Sequence, residues 1–193
     1  MEQKSVKGTQ TEKNLLAAFI GESQARNKYT YFAGIAKKEG YEQISAVFSA
    51  TADNEREHAK RYYSYIGDAV LDVCTTGNIT GIGDTKHNLK ICIAGEFAEW
   101  DHIYPGFAQV AEEEGFFEIA QLFRHVAAVE DHHGKRYKKL LENLENNKVF
   151  AKDTSTTWMC RNCGHLHESA KAPEACPTCL HPKAYFEVLC DNF

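Results

Sequence analysis

The chain has 193 residues, a formal net charge of −5, 43% apolar and 25% charged residues, which is enough for one full core and a small appendage. It contains no Lys/Arg run, so nucleic acid is not an expected partner. It has no apolar stretch of 18 residues, and MEQKSVKGTQ at the start lacks an apolar leader segment, so no membrane span is expected and the location is read as cytoplasmic.

In chain order, Thr9-Gln10-Thr11-Glu12 forms a capping box ahead of a first helix that Glu39-Gly40 stops. A second helix is expected from about Glu42 to Ile66. Residues 68–84 hold a Gly/Thr-rich connection without helical periodicity. Asp84 or Thr85 caps a third helix that ends near Glu114-Gly115, and a fourth runs from about Phe117 to Asn146. Residues 1–147 are therefore read as one helical domain, 148–157 as a polar linker, and 158–193 as a cysteine-rich domain.

A repeat organises the helices. From Tyr29 onward an offset of 75 carries Tyr29 onto Tyr104, Gly40 onto Gly115, Phe48 onto Phe123, Glu55 onto Glu130 and His58 onto His133. Each half is an antiparallel hairpin with a short Gly turn. The connection between hairpins, extended, reaches roughly 55 Å against roughly 37 Å for a 25-residue helix. The expected fold is mainly α: a four-helix bundle with one long crossover.

The core-facing stripes carry the chemistry. They read Leu15, Ala18, Glu22, Ala25, Tyr29, Phe32, Ala36; Ile44, Phe48, Thr51, Glu55, His58, Tyr62, Ile66; Leu89, Cys92, Glu96, Glu99, Ile103, Phe107, Val110; and Ile119, Phe123, Val126, Glu130, His133, Tyr137, Leu140. A lone Glu-x-x-His is common on wet helix faces. Five Glu and two His on inward stripes without matching cations are not, because a buried unpaired carboxylate costs several kcal/mol. Glu22 and Glu55 lie 18 and 15 residues either side of Gly40, so they stand at nearly equal depth. One Glu from each of two helices and Glu-x-x-His from each of the others is the di-metal carboxylate pattern of such bundles. Asp53, Glu57, Asp131 and His132 fall off the stripes and are expected to face solvent. Tyr29 and Tyr104 either pack as aromatics or hydrogen-bond a ligand carboxylate; their presence in both halves favours the second role.

The repeat breaks once. Gly21-Glu22 aligns with Gly95-Glu96 at an offset of 74, so one extra residue lies between Glu96 and Tyr104. A π-bulge there would let Glu96 and Glu99 both face the site.

Of seven cysteines, Cys160, Cys163, Cys176 and Cys179 form two knuckles suited to one tetrahedral metal, zinc or iron, on which so short a domain depends for folding. Cys92 reads as a core residue, and Cys74 and Cys190 carry no functional signal.

With GESQARNKY, EREHAKR, the Glu96/Glu99 pair, VEDHHGKR and CRNCGH…CPTC in place, the chain resembles rubrerythrins from about residue 9 to its end. The resemblance implies a ferritin-like bundle with two irons and a rubredoxin-like domain with one iron on Cys160, Cys163, Cys176 and Cys179, with zinc as a possible substitute there. It implies reduction of hydrogen peroxide to water as part of oxidative-stress defence, with electrons from an NAD(P)H-dependent rubredoxin reductase or similar donor. Glu55 and Glu130 would bridge, Glu22 and Glu96 would be terminal, His133 would bind one iron, and the other would alternate between Glu99 when oxidised and His58 when reduced. His165 stands where rubredoxin-like knuckles commonly have Tyr, which touches the tuning of the thiolate iron. Glu130 lies roughly 24 Å from the end of its helix. A chain's own thiolate iron is thus too distant, and a head-to-tail homodimer is expected. The alternatives are a ferroxidase that handles iron as ferritins do, and a metal-binding bundle with a zinc-stabilised docking tail.

Overall fold

The computed structural model describes residues 5–68 and 80–191. Five α-helices, α1 (Gln10–Lys38), α2 (Glu42–Tyr63), α3 (Thr85–Ala98), α4 (Tyr104–Glu113) and α5 (Phe117–Glu145), precede three strands, β1 (Ala151–Cys160), β2 (Leu166–Lys171) and β3 (Phe186–Val188). A π-turn over Glu99–Ile103 joins α3 to α4, so these two form one rod and the bundle has four.

The helix ends follow local chemistry. The Thr9 hydroxyl accepts the Glu12 N–H, and the Glu12 carboxylate takes the N–H of Gly8, one residue before the cap. Gly40 and Gly115, at φ +82° and +78°, close α1 and α4. In both, the residue after the glycine donates its N–H five residues back, Tyr41 to Ala36 and Phe116 to Ala111, which satisfies carbonyls the helix leaves open. Asp84 caps α3 by accepting the His87 N–H at 2.7 Å.

The rod ends define the topology. Glu114, at the end of α4, accepts the backbone N–H groups of Gln10 and Thr11, so α1 begins beside the α4–α5 turn. Tyr65, just past α2, donates to Glu118 at the start of α5. At the opposite end the Thr85 N–H reaches Glu39, and Lys86 and Lys90 pair with Glu145. The chain therefore leaves α2 at one end of the bundle and enters α3 at the other, as a long crossover must. Part of that crossover, with Cys74, lies outside the described residues.

The core is divided. One apolar cluster gathers Leu15, Ala18, Tyr62, Tyr104, Phe123 and Val126 towards the α4–α5 turn. Another gathers Tyr29, Phe32, Ile44, Phe48, Leu89, Cys92 and Tyr137 towards the α1–α2 turn. Cys92 is fully buried there, as a small core residue. The polar layer lies between the two clusters. In the third rod the buried stripe beyond Glu99 is Tyr104, Ala108 and Ala111, not Ile103, Phe107 and Val110, which are half-buried. The π-turn advances the stripe by one position, a shift that a uniform helical period cannot show.

In the tail, β1 pairs antiparallel with β2 and β3 in the order β2-β1-β3. Strand β1 starts at Ala151, which pairs with Lys171 across an irregularity before Thr156, so strand replaces coil over much of the stretch expected as linker. Phe150 stacks on Tyr41 at 6.2 Å and 9°, which seats the tail against the α1–α2 turn.

Candidate metal centre

Four helical rods each bring one carboxylate to the layer between the apolar clusters. Glu22, Glu55, Glu96 and Glu130 are each no more than 1% exposed. The donor atoms fall into two groups, Glu22, Glu55, His58 and Glu130, and Glu55, Glu96, Glu130 and His133, each with all atoms within 4.8 Å of one another. Glu55 and Glu130 belong to both. His58 Nδ1 lies 2.9 Å from Glu55 and 3.1 Å from Glu130. His133 Nδ1 lies 2.8 Å from Glu130 and 3.2 Å from Glu55. The two halves are thus related by an approximate two-fold.

The phenols follow the same symmetry. Tyr29 donates to Glu96 Oε1 at 2.6 Å and Tyr104 to Glu22 Oε1 at 2.5 Å. Each phenol thus restrains a carboxylate of the other hairpin, the role preferred from the repeat.

The polar atoms that face this layer do not satisfy one another. Both oxygens of Glu55 and of Glu130, Glu96 Oε2, and Nδ1 of His58 and of His133 are buried without hydrogen-bond geometry to any described group. Among the described residues no Lys or Arg pairs with these carboxylates. Burial first, then the Glu130, Glu99 and Glu55 carboxylates, push the Glu22 carboxyl well above its usual range. Burial also raises Glu99, and it brings Glu96 to about 8 although His133 opposes the shift. Burial would raise Glu130 too, but His133 and His58 on either side hold it below the ordinary value. Burial disfavours charge on the imidazoles, yet the carboxylates outweigh it: Glu130 and Glu55 bring His58 to about 9, and Glu130, Glu55 and Glu96 bring His133 to about 12. Carboxylates that repel one another around orphaned lone pairs fit two cations with oxygen-rich ligation and one imidazole each.

Glu99 stands apart from both groups. Its Oε1 lies 4.0 Å from where a Cβ on Gly21 would sit, beside Glu22. The π-turn that carries it is the break expected from the 74/75 offset. Asp53, Glu57 and His132 are exposed as expected, whereas Asp131 is half-buried and pairs with Lys135.

Asn54 gave no sequence signal, since it falls one position off its stripe. Its Oδ1 lies 3.2 Å from His133 Nε2. The only mark in the sequence is the repeat, which places Val129 at its counterpart. Tyr62 and Tyr137 lie on the stripes as read; their hydroxyls are buried without hydrogen-bond geometry to any described group, and burial raises both phenols strongly although Tyr104 and Thr51 oppose the shift.

In the tail, Sγ of Cys160, Cys163, Cys176 and Cys179 lie within 4.8 Å of one another. The knuckles are built alike: Gly164 and Leu180 donate to Cys160 and Cys176 carbonyls, and Cys160 and Cys176 donate to those of His165 and His181. The His181 N–H holds the Cys179 thiol down at about 6. His165 Nδ1 lies 3.0 Å from the Thr178 hydroxyl. Four thiols converging without a disulfide fit one tetrahedral iron or zinc.

No described helix is long and apolar enough to cross a membrane. Residues 13–141 match the family model described as Rubrerythrin, and residues 158–187 match that of its rubredoxin-like domain. The chain is 52% identical to rubrerythrin of Porphyromonas gingivalis, over 98% of this chain and 95% of that one. It is 49% identical to rubrerythrin of Nitratidesulfovibrio vulgaris, over 98% and 100%. A solved mixed-valence state of nigerythrin superposes with a TM-score of 0.64 at 31% identity, over 97% of this chain and 90% of that one. The bacterioferritin BfrA of Mycobacterium tuberculosis, at TM-score 0.63 and 17% identity over 71% and 87%, shares the ferritin-like fold alone. The carboxylate–histidine layer is accordingly a di-iron site, and the thiolate knuckles are the iron site of a rubredoxin-like domain. Both domain models fall on one chain that aligns with these relatives nearly end to end, and the chain belongs to the rubrerythrin family.

Proposed function

We propose that the protein is a peroxidase that reduces hydrogen peroxide to water, with electrons relayed from an NAD(P)H-dependent rubredoxin reductase or similar donor through the thiolate iron. The observation that carries this reading is the doubled donor set with a fifth carboxylate, Glu99, at its edge, on the same chain as a four-thiolate tail. A storage site has no evident use for either addition.

Glu55 and Glu130, common to both groups, would be shared by the two irons, while Glu22 and Glu96, held by Tyr104 and Tyr29, would each serve one of them. His133 serves one position. Glu99 would hold the other in the oxidised state and His58 in the reduced state. When bound, a diferrous pair would supply the two electrons that cleavage of one O–O bond requires, becoming diferric, and its charge would stabilise the oxygen anions, which take up two protons from solvent to leave as water. The flanking apolar clusters exclude bulk water from the layer, which strengthens each electrostatic contact inside it.

Helix α5 continues 15 residues past Glu130, about 22 Å at 1.5 Å per residue, and the tail sits at that far end. A head-to-tail homodimer, in which the tail of one subunit serves the bundle of the other, shortens the electron path. The test is anaerobic reduction of the iron-loaded protein followed by a single pulse of peroxide or of dioxygen. Faster reoxidation by peroxide is expected; equal rates, together with a large hollow shell on sizing, would turn the assignment to a ferroxidase.

A further inference from the structure

The two histidines of the metal layer match at their inner edges and differ at their outer ones. His133 Nε2 lies 3.2 Å from Asn54 Oδ1, and the imidazole is 1% exposed. The His58 imidazole is 15% exposed, and its Nε2 makes no hydrogen bond among the described residues. The repeat carries Asn54 onto Val129, a side chain with no acceptor.

The difference bears on metal binding. Nδ1 of each ring faces the shared carboxylates. A cation that takes Nδ1 leaves the ring proton on Nε2, and an acceptor for that proton fixes both the tautomer and the ring plane. His133 has such an acceptor on a neighbouring helix, and His58 has none there. The spare carboxylate lies on the same side as the untethered ring: Glu99 approaches Gly21, next to Glu22 of the His58 group.

We propose that Asn54 is a positioning residue that pins His133 as a permanent donor, while Val129 leaves His58 untethered and able to yield its place to Glu99. The inference rests on the ligand roles given under Proposed function. It adds the reason that only one half of a nearly two-fold site changes ligands.

The test uses full-length, iron-loaded, diferrous protein carrying 15N-labelled histidine, and follows exchange of the two ring N–H protons with water by NMR. In the parent protein one ring proton exchanges at least about tenfold more slowly than the other, the protection one hydrogen bond supplies. Asn54→Val brings both to the fast rate and weakens binding of one metal by about 10–100-fold. Asn54→Asp, which keeps an acceptor, retains the slow proton, and Val129→Asn slows the second. Equal rates in the parent, or a slow proton that survives Asn54→Val, overturn the proposal. Should Asn54→Val fail to fold or load, Val129→Asn decides: no second slow proton overturns it. Neither readout uses peroxide, so a chain inactive towards peroxide still tests this inference separately.

Discussion

At the scale of single residues, the site is held by groups that do not belong to its donor set. Tyr29 and Tyr104 each restrain a carboxylate across the bundle. Replacing either by Phe keeps the packing and removes the hydrogen bond. Metal titration is expected to show affinity falling about tenfold at the half concerned, and unchanged affinity would assign these phenols to packing alone. Gly134 follows His133 directly, and a Cβ there would stand 2.7 Å from the Phe97 ring. Gly134→Ala is expected to lower stability by about 1–3 kcal/mol, read by denaturant unfolding. Protonation supplies a third prediction. His58, raised to about 9, and Glu96, raised to about 8, bind more protons in the folded metal-free protein than in the unfolded chain. The metal-free protein therefore loses stability as pH rises from the ordinary carboxylate range through about 9, while metal affinity grows over the same interval because fewer protons must be displaced. Thermal melting across pH, with and without iron, checks both signs.

At the scale of elements, the π-turn does the most for the site. Seven residues separate Glu22 from Tyr29 and eight separate Glu96 from Tyr104. At about 100° per residue, seven end roughly 20° short of two turns, while eight overshoot by roughly 80°. A regular helix would therefore swing Tyr104 off the face that holds Glu96. The turn over Glu99–Ile103 absorbs the extra residue and restores Tyr104 to Glu22. Deleting Asp101, exposed within this turn, is expected to leave helix content by circular dichroism unchanged and to slow peroxide-driven reoxidation at least about tenfold. A rate equal to that of the parent would deny Glu99 and the turn a role. The bulge was legible as a change of offset from 74 to 75. The burial pattern after it was not, because a stripe read at constant period runs straight through a π-turn.

For the whole molecule, two units of different character share one chain. The bundle contains two apolar clusters. The tail has one small cluster around Trp158, Cys160, Cys176 and Phe186, two of which are also metal-facing cysteines. A strong chelator is expected to unfold the tail first, with loss of amide protection in β1–β3, while helical ellipticity persists. Simultaneous loss would mean that the tail supports the bundle. The Tyr41–Phe150 stack places the tail at the end of the bundle furthest along α5 from Glu130. If the proposed head-to-tail homodimer carries the electrons, reduction of the di-iron site is expected to slow on dilution, read by stopped-flow against sizing at the same concentrations.

The sequence by itself determined the four rods, the crossover, the level of the carboxylates and the thiolate knuckles. Each of these is a matter of period and spacing along one chain, and period and spacing survive without coordinates. Only the tertiary structure decided which phenol meets which Glu, and that β1 occupies much of the expected linker. Asn54 shows the physical reason. Its partner, His133, lies 79 residues away on another helix, and a contact across the bundle leaves no period in the sequence of either helix that makes it.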